Sequence, residues 1–220
     1  NAVSDLDQRV VNKVIEALRE GNVEKAEDIV SEAQQGTFIN ELALLLAGYY
    51  TVLFPIYAAQ LFANRLSTFN KQGVFAMTND VEAYINDSAR DAAESHIQTI
   101  IRDIMSTVND VSDKMTREEM VNYIKERIQV RDEDYTSKFG ETVTDEDIKK
   151  AVNSGKFDKD PAYKFARDRI REGAGQLEVE RAIRNEYQDI SKNRAKTIAK
   201  HEASRVFNMS QYQVDLQFLT

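Results

Sequence analysis

The chain has 220 residues with a net charge of −8; 42% are hydrophobic and 30% charged, a balance that excludes wholesale disorder, collagen-like repeats and a multi-span membrane protein. Eight Gly and two Pro are too few for the turns of an all-β sandwich or barrel, so the fold class is expected to be mainly α, a multi-helix assembly with helical hairpins and a long C-terminal helical region. The absence of Cys excludes disulfide scaffolds, zinc ribbons and thiol nucleophiles, and His96 and His201 alone cannot build a His-rich metal site.

Residues 1–36 read as an N-terminal helical hairpin, opening at Asn1 with neither a Met nor a signal-peptide pattern. Leu6, Val10, Val14, Ile15 and Leu18 share one helical face, and Gly21-Asn22 interrupts the pattern. A second helix then carries Val23, Ala26, Ile29, Val30 and Ala33 and ends at Gly36. Its opening is similar to a tetratricopeptide repeat, but no second copy follows at a fixed period, which removes a solenoid.

Residues 37–152 read as a central helical body. Leu42–Asn64 is a run of 23 residues without a charge, long enough to cross a bilayer. Its three Tyr, Thr51, Gln60 and Asn64 dilute the apolar character, and Glu41 and Arg65 are not basic flanking clusters. The expectation is a buried central helix, with a conditional membrane segment as the alternative. Pro55 is expected to kink or break it. From Asp80 to Val111 the apolar spacing is again helical, with His96 beside the stripe as a hydrogen-bonded core residue. Thr116 and Glu119 have capping-box spacing and predict a new helix start. Asp132-Glu133-Asp134 then reads as a solvated loop, and Thr144 with Asp147 as the cap of a short helix to about Val152.

Residues 153–220 read as the C-terminal helical part. After a connector at 153–160, Asp160-Pro161 has the N-cap and first-turn chemistry of a helix carrying Tyr163, Phe165, Ala166 and Ile170. That helix is expected to stop at Gly173-Ala174-Gly175. A last helical region runs from about Gln176 to at least Asn208, with an interruption near 191–193. Its expected interior face is Ile183, Tyr187, Ile190, Ala195, Ile198, Ala199 and Val206, and Glu202 and Arg205 have i, i+3 pairing distance. Lys192, Lys196 and Lys200 repeat every four residues as a basic stripe. Residues 164–205 hold 11 basic and 7 acidic side chains, whereas 1–163 hold 18 and 29. The C-terminal stretch is therefore suited to an acidic partner or a phosphate backbone, which the remainder repels.

Catalytic, cofactor and metal motifs are missing. There is no Gly-rich phosphate loop, no Gly-x-Ser-x-Gly, no EF-hand spacing, and His201-Glu202 lacks the second His of a zinc-protease helix. No catalytic, cofactor or metal residue is assigned, and the chain is read as a non-enzyme.

One pattern is more specific. Arg171-Glu172-Gly173 followed by Arg194, Ala195, Ile198, Ala199, Glu202, Arg205 and Asn208 resembles the Mu F-like head-morphogenesis (minor head protein) family of tailed bacteriophages. Lys200, His201 and Val206 depart from the family's Arg, Thr and Ala. The resemblance covers 171–208 only, and the small mixed α/β part that follows this helix in the family is expected to be absent from these 220 residues.

The resemblance implies a structural protein of the virion head, present in several copies and assembled in the host cytoplasm. It implies portal protein and capsid as partners, and a part in head assembly and DNA packaging or ejection. Arg171, Gly173, Arg194, Ile198, Glu202, Arg205 and Asn208 are the candidate docking element, with Lys192, Lys196 and Lys200 open to portal carboxylates or packaged DNA. The alternative is a virion ejection protein that inserts 42–64 into the host membrane. A cellular helical scaffold unrelated to phage is a third possibility.

Overall fold

The computed structural model describes residues 2–20, 36–69, 72–139, 143–170 and 175–219, with backbone alone at 128–139, 186, 188–195 and 219. Six helices and no strand occur among the described residues: α1 (Ala2–Arg19), α2 (Thr37–Phe69), α3 (Asn79–Phe139), α4 (Asp145–Asn153), α5 (Pro161–Arg169) and α6 (Gln176–Leu219). The fold is mainly α, as expected. The expected second helix of the N-terminal hairpin lies outside the described residues.

The helices pack as two compact units, each assembled from distant stretches. The first comprises 1–13, 28–102 and 187–220, and the second 14–27 and 103–186. The blocks 1–36, 37–152 and 153–220 thus follow sequence order rather than packing.

In the first unit, α2 buries the row Ile39, Leu42, Leu46, Tyr50, Phe54 and Ala58, the i, i+3/i+4 stripe of a packed helix. The first half of α3 contributes Val81, Ile85, Ala89, Ala92, Ala93 and Ile97, and its three alanines let neighbouring backbones approach closely. Paired contacts set the directions. Tyr50 meets Glu202 and Arg65 meets Asp215, so α2 and α6 run parallel. His96 meets Glu202 and Tyr84 meets Tyr212, so α3 runs against both. The turn between α2 and α3 is held by Phe75, whose ring lies 6.0 Å from those of Phe54 and Phe62. There the Ala76 N–H donates to Gln217 Oε1 at 3.0 Å while Gln217 Nε2 donates back to the Ala76 carbonyl at 2.6 Å. A side-chain amide thus satisfies both polar groups of an irregular backbone position.

In the second unit, Met120, Val121, Ile148, Val152 and Tyr163 form a core, with Ile124 and Phe157 packed against it. Thr144 and Asp147 cap α4 reciprocally, and the Ala162 N–H donates to Asp160 at the start of α5, where Pro161 gives up no hydrogen bond. Gly155 turns the chain between them at φ +74°, a conformation that favours glycine.

Three expectations about breaks fail. Thr116 starts no helix; it is buried inside α3, and its hydroxyl donates to the Ser112 carbonyl at 2.6 Å. With no Gly or Pro between 79 and 139, the helix has no reason to stop, so Asp132-Glu133-Asp134 is helical backbone rather than loop. α6 likewise runs through 191–193 without interruption. Of the kink or break expected at Pro55, the break does not occur, since α2 continues through it. The carbonyl it orphans belongs to Thr51, an exposed residue.

Leu42–Asn64 also departs from a simple buried helix. One face is buried, but Leu44 (75% exposed), Val52 (64%) and Ile56 (51%) lie on another that is not.

Candidate docking site on the C-terminal helix

Within the first unit, α6 turns Ile198, Glu202, Val206, Met209, Ser210 and Val214 inward. Ala199, expected on that face, is exposed; the row advances in steps of four and three from Ile198, which places residue 199 about 100° away. Ile190 and Ala195 have helical backbone only, and Ile183 and Tyr187 are buried.

Glu202 is a carboxylate in a core position, 3% exposed. A buried charge requires partners on several sides, and three are present. The fully buried Tyr50 of α2 donates its hydroxyl to Oε2. His96 of α3 lies 2.9 Å from Oε1 through Nε2; the carboxylate accepts only, so Nε2 carries the proton. Arg205, one turn along α6, lies 3.5 Å from Oε2. Burial pushes the Glu202 carboxyl upward, but the hydrogen bonds from His96 and Tyr50 and the Arg205 charge outweigh it and hold it below its ordinary value. Burial, together with the bond to Glu202, pushes the Tyr50 hydroxyl well above its ordinary value. The expected Glu202–Arg205 pair and the hydrogen-bonded His96 are both present. Tyr50 was not legible as their partner; its only signal is a phenol at a core register position, which needs an acceptor.

The opposite face of α6 presents Lys196, Lys200 and His201 to solvent. With Thr197 and Ser204 they line a shallow recess of about 390 Å³. Lys196 and Lys200 form no ion pair among the described residues. Asn208 is exposed and Arg205 half-buried. Lys192 and Arg194 have helical backbone only, and Arg171 and Gly173 lie outside the described residues. The structure thus gathers Ile198, Glu202 and Arg205 into the packed side and Lys196, Lys200 and Asn208 onto the free side.

The second unit has a larger open cleft of about 720 Å³, where Asp110, Asp113, Lys114, Arg117 and Lys149 meet. Two of these charges, Asp113 and Arg117, are paired with each other. Arg117 donates to Asp113 at 2.9 Å and to the Val152 carbonyl at 2.6 Å, and sits 3.5 Å from Asp158. Tyr163 donates to Asp113, and burial with that bond pushes its hydroxyl up to about 12. This knot ties α3 to α4 and α5. Among the described residues, no group of three or more His, Asp or Glu is placed to hold a metal ion.

The chain matches no family model, and no significant match to a curated protein or a solved structure was found.

Proposed function

We propose that this chain is a structural minor head protein of a tailed bacteriophage, non-enzymatic, docking at the portal and inner capsid during head assembly and DNA packaging or ejection. The reading rests on the ten positions of 171–208 that follow the Mu F-like pattern. The observation that carries it is the division of α6 into a clamped inner face, centred on Glu202, and a basic outer face at Lys196 and Lys200. A rigid helix with cations on its free side suits an acidic protein surface. Packaged DNA is the weaker partner: lysine contacts to phosphate would be sequence-blind and salt-sensitive, and residues 1–163 carry 29 acidic against 18 basic side chains.

The test is co-purification with the portal protein of the same genome at low and high salt. Co-elution is expected, weakened by Lys196→Glu with Lys200→Glu. No association at either salt concentration would count against the reading.

A second reading, an ejection protein that inserts 42–64 into the host membrane, has one observation in its favour: α2 is long and apolar enough to cross a bilayer, and only 28% of its most apolar window is buried. It predicts liposome association that depends on Leu42–Asn64.

A further inference from the structure

The outer face of α2 is not used by the packing of the first unit. Leu45, Tyr49, Val52, Ile56, Ala59 and Ala63 are all exposed and follow one another at steps of three and four, with Leu44 on the flank. Glu41, at the head of the stripe, is already paired with Arg9 at 2.5 Å. Arg65, just beyond it, is paired with Asp215 at 2.8 Å.

Three observations identify the occupant. The first is charge. A chain that is 30% charged presents here a face without a charge across 23 residues. A second copy covers it without burying an unpaired ion only by presenting the same face. The second is size. The N-terminal half of the stripe carries Leu44, Leu45 and Tyr49, and the C-terminal half carries Ala59 and Ala63. An antiparallel pair crossing between Val52 and Ile56 sets Leu45 against Ala63 and Tyr49 against Ala59, large into small at both ends, with Val52 against Ile56 at the centre. A parallel pair sets large against large and leaves a gap between alanines. The third is Gly48. A Cβ built there meets nothing within 4 Å, so the unit itself gives no reason for a glycine in mid-helix, whereas a closely approaching second helix does.

We infer that α2 is a self-association surface, on which a second copy of this chain packs antiparallel through the same stripe. The inference is independent of the phage reading. The exposed parts of Leu44, Leu45, Tyr49, Val52 and Ile56 amount to roughly 500 Å² per copy. Two copies therefore bury at most about 1,000 Å², the lower bound for a specific interface. The dimer is accordingly weak and concentration-dependent. A lipid surface accounts for the face less well, because it has no use for a large-to-small gradient and the stripe lacks the basic flanks of an interfacial helix.

The chain has no cysteine, so introduced thiols report the geometry cleanly. The experiment is sedimentation equilibrium of the full chain, with oxidative cross-linking of Leu45→Cys mixed with Ala63→Cys. The expected results are a monomer–dimer equilibrium, a heterologous cross-link in the mixture, and no cross-link for Leu45→Cys alone, whose two thiols would lie about 27 Å apart along the helices. Val52→Asp, at an exposed position, is expected to weaken the dimer more than tenfold while leaving the circular dichroism unchanged. A monomer at all concentrations, or a cross-link in Leu45→Cys alone, overturns the antiparallel pair. So does a monomer that binds vesicles of mixed zwitterionic and anionic phospholipid more tightly as Gly48→Leu, a change that enlarges the apolar face but wedges a helix pair apart.

Discussion

Each unit contains a carboxylate that accepts from a tyrosine and a cation, and the two knots differ chiefly in burial. Glu202 is sealed at 3% exposure among Tyr50, His96 and Arg205. Asp113 leaves 35% of its side chain to solvent while bonding Tyr163 and Arg117. In water-accessible Asp113, solvent replaces a lost partner at small loss. At Glu202 nothing replaces it, so the same chemistry becomes a condition for the unit's packing. The buried knot joins three helices at one point, whereas the open one steadies α4 and α5 against α3.

The largest predicted effect tests this difference directly. Glu202→Ala strips the acceptor from Tyr50 and His96 inside the core and is expected to cost about 3 kcal/mol. Asp113→Ala removes an acceptor that solvent partly replaces, while Arg117 keeps its bonds to the Val152 carbonyl and Asp158; the expected loss is about 1 kcal/mol. Urea unfolding of both variants against the parent measures the gap. Equal losses would break the comparison.

Acid sharpens it next. Folding holds both carboxyls below their ordinary values, 4.5 for Glu202 and 3.8 for Asp113, after hydrogen bonds and nearby cations overcome burial. The unfolded state therefore binds these protons first as pH falls. The stabilisation is complete above the ordinary values and fades as pH drops through the folded ones. In Glu202→Gln the glutamate contribution is absent at every pH. Its stability deficit against the parent is expected to shrink between about pH 5 and pH 3. Thermal melts across that range check it; a deficit independent of pH would mean that Glu202 is not held as a carboxylate.

Much of the framework was legible because its signals are local. The apolar face of α1, the Thr144–Asp147 cap and the Asp160-Pro161 start each depend on residues within a few turns, and each forms as expected. Thr116–Glu119 has the same spacing as a real cap but serves no such purpose, because a threonine inside a helix satisfies itself on the carbonyl four residues back. The candidate site was half legible. Glu202 and Arg205 pair within one turn, whereas Tyr50 and His96 reach Glu202 across 152 and 106 residues of sequence. Nothing in a linear pattern links them. The charge-free stretch of α2 shows why composition misleads here. With apolar residues on every side, periodicity does not separate the face that packs on α6 from the one left open.

The last predictions concern one glycine in each unit, and they carry opposite signs. A Cβ at Gly48 meets open space, so Gly48→Ala is expected to stabilise α2 by about 0.5–1 kcal/mol through helix propensity alone. A Cβ at buried Gly175 would lie 2.9 Å from Ile170 Cγ2 and 2.5 Å from Met115 Cε. Met115 is flexible at that end and can withdraw, whereas the branched Ile170 is fully buried and has little freedom. Gly175→Ala is therefore expected to destabilise by about 1–2 kcal/mol. Shortening Met115 in the same chain should recover only part of that, since Ile170 remains. Melting temperatures of the two alanine variants, taken at a concentration low enough to keep the chain monomeric, separate the cases. A gain at Gly175 would mean that the backbone entering α6 yields to an added methyl, and that the second unit is less tightly fitted there than its contacts imply.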